Sequence, residues 1–334
     1  MNKLYNPFAG RRQLLKAALG AAGAMAFTSP LTVLAQLANG RPIRMILPVG
    51  VGSGVDTITR AAGPAMSSAF GRSVVIENMP GAGGIIGTAA LLREAADGHT
   101  VGMVSNNHVT FPSVYKSVPF DPINDITPIS VVGSSPFVLV VNPELEANTV
   151  QELIALLKAK PGHYNFASSG NGTILHLAAE MFVQQADVDA RHIPYKGVGP
   201  MITDIMSGQV HFGVLSVPSV AGQLASGGLR AVVACGAQRS KRLPDLPTLR
   251  EQGLPDYDVS GWFATIAPAG LSEENVKAIY AGLKSAFTDA EVQKSMEAQG
   301  NDIWLKDPAA TADYFRSEMN KYATIVKNAN MEPV

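Results

Sequence analysis

The chain has 334 residues, of which 46% are apolar and 16% are charged, so it can bury a core and is too polar throughout for a membrane protein. Its 26 Lys and Arg nearly cancel its 27 Asp and Glu, which leaves no global basic field for nucleic acid or an anionic membrane. Because single hydrophobic cores stop growing near ~250 to 300 residues, this length predicts two lobes.

The first 35 residues have the three parts of a cleavable signal peptide. Arg11, Arg12 and Lys16 form the basic start, 17–27 is the apolar run, and a small-x-Ala cleavage site ends at Ala35. The paired arginines and the residues after them match the twin-arginine export pattern, and an ordinary secretory signal is the alternative. Both routes lead to the periplasm. The segment contains no cysteine, which excludes lipid attachment at a mature N-terminal Cys.

The rest of the chain alternates short apolar runs with segments of helical periodicity, which predicts an α/β fold. The predicted strands are 43–47, 73–77, 100–104, 137–142, 164–167, 192–194, 212–215, 231–234 and 262–267. The predicted helices are 56–70, 85–95, 149–160, with a capping box of Thr149 and Glu152, then 173–184, 199–207, 273–287 and 308–328. We place lobe 1 at 39–138 plus 262–334 and lobe 2 at 139–261.

Three Gly-rich turns, at 48–56, 80–84 and 168–173, each follow a predicted strand and precede a predicted helix. Glycine lets the backbone approach a ligand closely, and a helix N-terminus offers unpaired N–H groups at the positive end of its dipole. Each turn is therefore a candidate anion cradle, and turns that only connect elements are the alternative. Their recurrence in two lobes favours binding.

Enzyme and metal motifs are missing at each point where they can be checked. Neither of the first two turns spells G-x-G-x-x-G or carries a P-loop lysine, and Ser53 does not stand in G-x-S-x-G. The six histidines include no H-E-x-x-H and no pair four residues apart, so we expect no metal site and no cofactor. We expect His176 to be a packed histidine that bonds a neighbouring loop, and Cys235 to be a buried thiol. Trp262 and Trp304 are expected in the core or the hinge, with ligand stacking as the alternative for Trp262.

Dispersed motifs resemble one family over nearly the whole mature chain, the periplasmic binding proteins of tripartite tricarboxylate transporters, or Bug family. The matching motifs are RPIR at 41–44, VIENMPGAGG at 75–84, YKSVPFDP at 115–122, SSGNGT at 168–173, HIPYKG at 192–197, GQV at 208–210, LPT at 246–248, GLP at 253–255 and the stretch 262–270.

The resemblance implies a two-lobed, type II periplasmic-binding-protein fold that closes on a carboxylate in a cleft between its lobes. The expected ligand-binding residues from lobe 1 are Gly52, Ser53, Gly54, Asp56, Gly81, Ala82, Gly83, Gly84, Ser105 and Asn106. Those from lobe 2 are Ser169, Asn171, Gly172, Thr173, Tyr195, Lys196, Gly197 and Ser216. No catalytic residue is expected.

Departures from the family pattern bear on the ligand. Many members carry an acid where this chain has Leu215 and Ser216, which argues against an amino-acid ligand. Ile174 and Leu175 stand where small hydroxyl residues are common, which favours an aliphatic or aromatic carboxylate over citrate. The rim at 48–53 also differs from the usual form.

The predicted function is capture of a small carboxylate by a periplasmic monomer and its delivery to membrane transporter subunits. A ligand-occupied sensor that docks on a receptor or kinase is one alternative. An exported carboxylate-processing enzyme using Ser53 or His176 is another, although it lacks a visible base and nucleophile pair. We expect no nucleic-acid partner.

Overall fold

The computed structural model describes residues 40–240, 242–328 and 333. The predicted signal peptide, residues 1–35, lies outside the described residues. No helix in the described part of the chain combines the length and the apolar character needed to cross a membrane.

Strands and helices alternate as the sequence predicts. The strands are β1 Ile43–Leu47, β2 Val74–Asn78, β3 Thr100–Ser105, β4 Ile126–Ser135, β5 Phe137–Val141, β6 Asn165–Ser168, β7 Arg191–Pro194, β8 Phe212–Ser216, β9 Arg230–Ala234, β10 Gly261–Pro268 and β11 Asp302–Ile303. The helices are α1 Gly54–Phe70, α2 Ile85–Leu92, α3 Asn107–Val114, α4 Val150–Ala159, α5 Ile174–Gln185, α6 Val198–Met206, α7 Val217–Ser226, α8 Glu273–Phe287, α9 Ala290–Ala298 and α10 Pro308–Asn328.

Two sheets organise these elements. The first has the order β11-β4-β10-β3-β1-β2, with β1 parallel to β2 and β3 and with β10 antiparallel to β3 and β4. The second has the order β7-β6-β8-β5-β9, with β6 parallel to β7 and β8. We call the part built on the first sheet lobe 1 and the part built on the second lobe 2. The chain passes from one sheet to the other between Ser135 and Phe137 and returns at Gly261.

A buried hydrogen-bond network ties the return crossing to lobe 1. Asn106 Oδ1 accepts the backbone N–H of Trp262, and Asn106 Nδ2 donates to Ser260 O and to Tyr322 Oη of α10. The indole N–H of Trp262 donates to Glu318 Oε2, also on α10. Both faces of the first sheet are covered, one by α1, α8 and α9 and the other by α2, α3 and α10. The crossing is thus anchored in a packed core.

The packing of α8 against α1 depends on Gly282. A Cβ placed on Gly282 would lie 2.2 Å from Cε1 of Phe70, which is closer than carbon atoms can approach. The exposed Gly222 in α7 offers the opposite case, because a Cβ there would meet no atom within 4 Å.

We expect Gly282→Ala to lower the free energy of unfolding by about 1–3 kcal/mol, because it overpacks a filled core. Gly222→Ala makes the same chemical change in open space and should raise the free energy of unfolding by about 0.5–1 kcal/mol, since alanine loses less backbone entropy in a helix. Denaturant unfolding measures both values. Equal effects of the two substitutions would contradict the packing described for α8 and α1.

Candidate functional site

A cavity of about 630 Å³ lies between the two sheets, and both lobes contribute to its wall. Lobe 1 supplies the turns that follow β1, β2 and β3, and lobe 2 supplies the turns that follow β6, β7 and β8. Ligands of open α/β sheets bind beyond the carboxyl ends of the strands, and these turns occupy that position. The cavity is therefore the candidate binding site.

Most of the residues expected to bind ligand lie on the cavity wall. They are Ser53, Gly54, Gly81, Ala82, Gly83, Gly84, Ser105, Asn106, Ser169, Asn171, Thr173, Tyr195, Lys196, Gly197 and Ser216. Gly52, which is exposed, and the buried Asp56 and Gly172 do not line the cavity. The polar atoms of Asn106 are used in the crossing network described above, so this residue faces the cavity with its hydrogen bonds already made.

Asp56 holds the first turn from behind. Its carboxylate is 2% exposed and accepts hydrogen bonds from Gly52 N at 2.9 Å, Arg60 Nε at 2.8 Å and Asn78 Nδ2 at 3.0 Å. Ser53 Oγ accepts the backbone N–H of Asp56 and caps α1. A buried carboxylate is stable only with such partners. Asp56 therefore holds the first turn through Gly52, and contact of either residue with a ligand stays a prediction.

The second turn packs directly against the first. Gly81 and Gly84 have φ angles of +138° and +117°, which residues other than glycine rarely adopt. A Cβ on Gly84 would lie 3.0 Å from Pro48 O, so the turns after β1 and β2 touch through their backbones. Asn78 Nδ2 also donates to Val49 O across the same boundary. The two turns form one continuous backbone surface.

Two histidines support the third turn. His176 Nδ1 accepts the backbone N–H of Gly172 at 3.2 Å, as expected of a packed histidine that bonds a loop. His192 Nε2 lies 2.7 Å from Ser168 Oγ, and this hydroxyl also contacts the backbone of Gly170. The two imidazole rings stack with centroids 3.9 Å apart and an interplanar angle of 18°.

The same histidines and Glu180 form a group whose ligand-type atoms lie within 4.8 Å of one another. Histidine pairs in the sequence do not indicate this group. It consists of His176 and Glu180, four residues apart on α5, and His192 from β7. A metal lies in the plane of each imidazole ligand, and two nearly parallel rings do not aim their lone pairs at one point. The Nδ1 of His176 already accepts Gly172 N–H, so its Nε2 carries the proton and faces Glu180 Oε1 at 3.4 Å. The arrangement suits support of the turn better than metal ligation.

Six helices begin at the cavity wall. Each of their N-cap residues lines the cavity: Ser53 for α1, Gly84 for α2, Asn106 for α3, Thr173 for α5, Gly197 for α6 and Ser216 for α7. At four of these helices no side chain caps the N-terminus: Gly84 and Gly197 have none, and those of Asn106 and Ser216 make no capping hydrogen bond. The positive ends of these helix dipoles therefore face one space. Three of these helix starts, those of α1, α2 and α5, follow the Gly-rich turns predicted from the sequence.

The charge on the described wall of the cavity is positive. Within the described residues, Lys196 is the cation that lines the cavity, and no Asp or Glu lines it. Tyr195 donates its hydroxyl to Asp204 Oδ2 at 2.8 Å, and burial, followed by this hydrogen bond, raises the pKa of Tyr195 to about 12. The phenol is thus neutral at physiological pH. The site combines one positive side chain with converging helix N-termini.

The rest of the wall is apolar. Its apolar side chains include Val49, Val55, Ile58, Phe137, Ile174, Leu175, Val198, Trp262 and Phe263. Trp262 is 2% exposed and lies at the crossing, as expected, and it also lines the cavity. Trp304 is 42% exposed, so the expectation of a core position is wrong for that residue. Cys235 is buried, as predicted.

Two lining residues that the sequence analysis did not select, Asn107 and Tyr115, make hydrogen bonds from lobe 1 to lobe 2. Tyr115 stood in a motif that carried the family resemblance, but nothing in that motif signalled its contact. Asn107 had no signal beyond its place after β3, since the helix that it begins was not predicted.

Comparisons with known proteins agree with this architecture. Residues 58–331 match the profile of the tripartite tricarboxylate transporter family receptor. The chain is 34% identical over 289 residues to the protein BugT of Bordetella pertussis, covering 86% of this chain and 89% of that protein. It is similar to the structure of the periplasmic binding protein BugD with a TM-score of 0.85 and 28% identity, covering 88% of this chain and 99% of the other. It is also similar to an R. palustris protein solved with adipate, with a TM-score of 0.85 and 26% identity, covering 89% and 99%.

We predict that the histidine support under the third turn makes stability depend on pH. Burial, and next the charge of His176, lower the pKa of His192 to about 4, against an unfolded value of 6.5. The unfolded chain therefore binds more protons between these values, and stability is lost as the pH falls from about 6.5 towards 4. His192→Gln should remove about 1 kcal/mol of the loss between pH 7 and pH 5, after allowance for partial exposure.

Denaturant unfolding at pH 7 and pH 5 measures this effect. His163→Gln, at an exposed position, makes the same chemical change away from the turn and serves as the control. An acid-induced loss in His192→Gln as large as in the unsubstituted protein would contradict the prediction.

Proposed function

The chain belongs to the tripartite tricarboxylate transporter receptor family, whose fold is that of two-lobed periplasmic binding proteins, and from that membership we propose that it captures a small carboxylate in the periplasm. The observation that carries the proposal is the convergence of six helix N-termini and Lys196 on one cavity whose described wall holds no acidic side chain. Such a site attracts an anion without a cluster of cations.

Binding without catalysis is the mode of action that we propose. The described wall of the cavity contains no His, Cys, Asp or Glu, so it lacks the usual general bases and metal ligands. Ser53 Oγ already accepts the N–H of Asp56 as a helix cap, and His176 lies behind the third turn. Capture requires only that the ligand contact both lobes and so favour the closed arrangement.

The ligand that the wall suits best has a carboxylate head and an apolar body. The apolar side chains of the wall would bury aliphatic or aromatic carbon atoms, whereas citrate would place further charged groups against them. Ser216 offers a hydroxyl where an acid would be needed to pair a ligand amine, which argues against amino acids. Binding of adipate by an R. palustris protein with 26% identity supports a linear carboxylate as the first ligand to test.

We further propose that residues 1–35 direct export and that the mature monomer delivers its ligand to a tripartite tricarboxylate-type transporter. We propose as the two lobes the segment from β5 to β9 and the rest of the mature chain, close to the predicted 139–261 and 39–138 plus 262–334. The family membership supports delivery, because the family profile describes receptors of such transporters.

A thermal-shift screen of the purified protein tests the proposed ligand class. The panel should contain adipate, benzoate, malate and citrate, with amino acids, sugars and nucleotides as competing classes. A ligand that binds only the native state at 100 times its dissociation constant should add about 2.7 kcal/mol to the free energy of unfolding. Stabilisation by adipate or benzoate is the expected result. A response to sugars or nucleotides and none to any carboxylate would sink the proposal.

We predict that Gly50→Asp abolishes carboxylate binding. Gly50 lines the cavity without a positive φ angle, and a Cβ there would lie 3.9 Å from Gly197 Cα, so a side chain fits. A fixed negative charge beside the start of α1 should repel the ligand and raise the dissociation constant at least ~100-fold, or about 2.7 kcal/mol. Gly50→Asn has the same shape without the charge and should stay within about tenfold of the unsubstituted protein. Titration calorimetry measures both, and equal losses would count against an anionic ligand at this turn.

A further inference from the structure

Two side chains of lobe 1 that line the cavity make hydrogen bonds to the third turn and the start of α5 in lobe 2. Tyr115 Oη donates to Asn171 O at 2.6 Å. Asn107 Oδ1 accepts the backbone N–H of Ile174, the first residue of α5, at 2.8 Å, while its Nδ2 donates to Gly83 O at 2.8 Å. The side chain of Asn107 thereby joins the second Gly-rich turn to the start of α5, directly after the third turn.

Glycines on both sides make room for the ring of Tyr115. A Cβ on Gly83, in lobe 1, would lie 2.2 Å from Tyr115 Oη, and a Cβ on Gly172, in lobe 2, would lie 2.8 Å from Tyr115 Cζ. Both glycines have positive φ angles, +63° and +70°. Because these two glycines have no side chain, the ring of Tyr115 fits between the lobes. This is a second role for the glycines, beside letting a ligand approach the backbone. Phe111 packs against the ring in an edge-on arrangement at 6.1 Å and fixes it from within lobe 1.

These contacts exist only when the lobes are together. In a protein with separated lobes Tyr115 Oη would lose Asn171 O, and Ile174 N–H would lose Asn107 Oδ1. One bond ends on the third turn and the other on Ile174, directly after it, and both Asn171 and Ile174 line the cavity, so holding them against lobe 1 also holds part of the ligand site. Their donors and acceptors are provided by the protein itself, and no ligand is needed to complete them.

We propose that Tyr115 and Asn107 form an interlobe latch, which favours the closed arrangement before ligand arrives and positions the 169–173 turn to receive it. Only the positioning of the turn for a ligand rests on the proposed function, because closure of the lobes does not depend on which ligand binds. The latch lowers the cost of closure, and ligand affinity rises by the corresponding factor. Tyr115 and Asn107 are positioning residues in this account.

Small-angle X-ray scattering of the unliganded protein tests the latch. Tyr115→Phe removes one hydroxyl, and Asn107→Ala removes the second bridge independently. Each variant should have a larger radius of gyration than the unsubstituted protein, because fewer molecules are closed. Tyr280→Phe is the matched control, since Tyr280 Oη donates to Leu305 O at 3.0 Å entirely within lobe 1 and its loss should leave the radius unchanged.

The dissociation constant for adipate provides the second measurement. Loss of one neutral hydrogen bond that forms only on closure should weaken binding about fivefold in Tyr115→Phe, and not in Tyr280→Phe. The proposed latch is contradicted if neither Tyr115→Phe nor Asn107→Ala differs from the control in the radius of gyration of the unliganded protein. If adipate and the other carboxylates fail to bind while the scattering still changes, the proposed function fails and the latch stands. Thermal unfolding of each variant verifies that it is folded.

Discussion

The structure depends on one constraint, which is that the backbone N–H groups at a helix N-terminus need acceptors. Six helix N-termini open onto the same cavity here. This follows from topology, because helices that follow strands of a sheet begin at the carboxyl ends of those strands. The result is a positive potential built from the backbone, to which Lys196 adds the charged side chain on the described wall. Such a field suits a protein whose net charge is close to zero.

Polar side chains on and behind the wall keep this backbone in place. The carboxylate of Asp56 accepts hydrogen bonds from Gly52 in the first turn and from Asn78 at the end of β2. Ser53 and Thr173 cap α1 and α5. His176 and its stacked partner His192 hold the third turn. None of these groups needs to touch a ligand. They fix the donors before binding, so that little ordering free energy has to be spent when a ligand arrives.

The sequence predicted the regular elements well where the apolar period was clear, and the bounds of β1, α8 and α10 coincide with the predicted ones. It missed β4 and α3, which contain Pro128 and Pro112, because proline normally marks the end of an element. The prediction also missed α7, whose Pro218 lies in the first turn, where proline is tolerated. It also missed α9, a short helix with few apolar positions.

Within the site, local patterns located the Gly-rich turns but could not tell which face of a turn meets the cavity. Asp56 and Gly172 were therefore expected on the wall that they support. Contacts between distant segments, such as Tyr115 with Asn171 or His176 with His192, have no local signature at all. Such pairs are set by how the lobes and strands pack, which a single sequence does not display.

The most direct test of the account is a crystal structure of the protein grown with the carboxylate that stabilises it most. The account predicts ligand carboxylate oxygens within hydrogen-bonding distance of backbone N–H groups in the turns at 48–54 and 80–84, and carbon atoms against Phe137 and Trp262. A carboxylate held by Lys196 alone at the rim, with these N–H groups left to solvent, would contradict it.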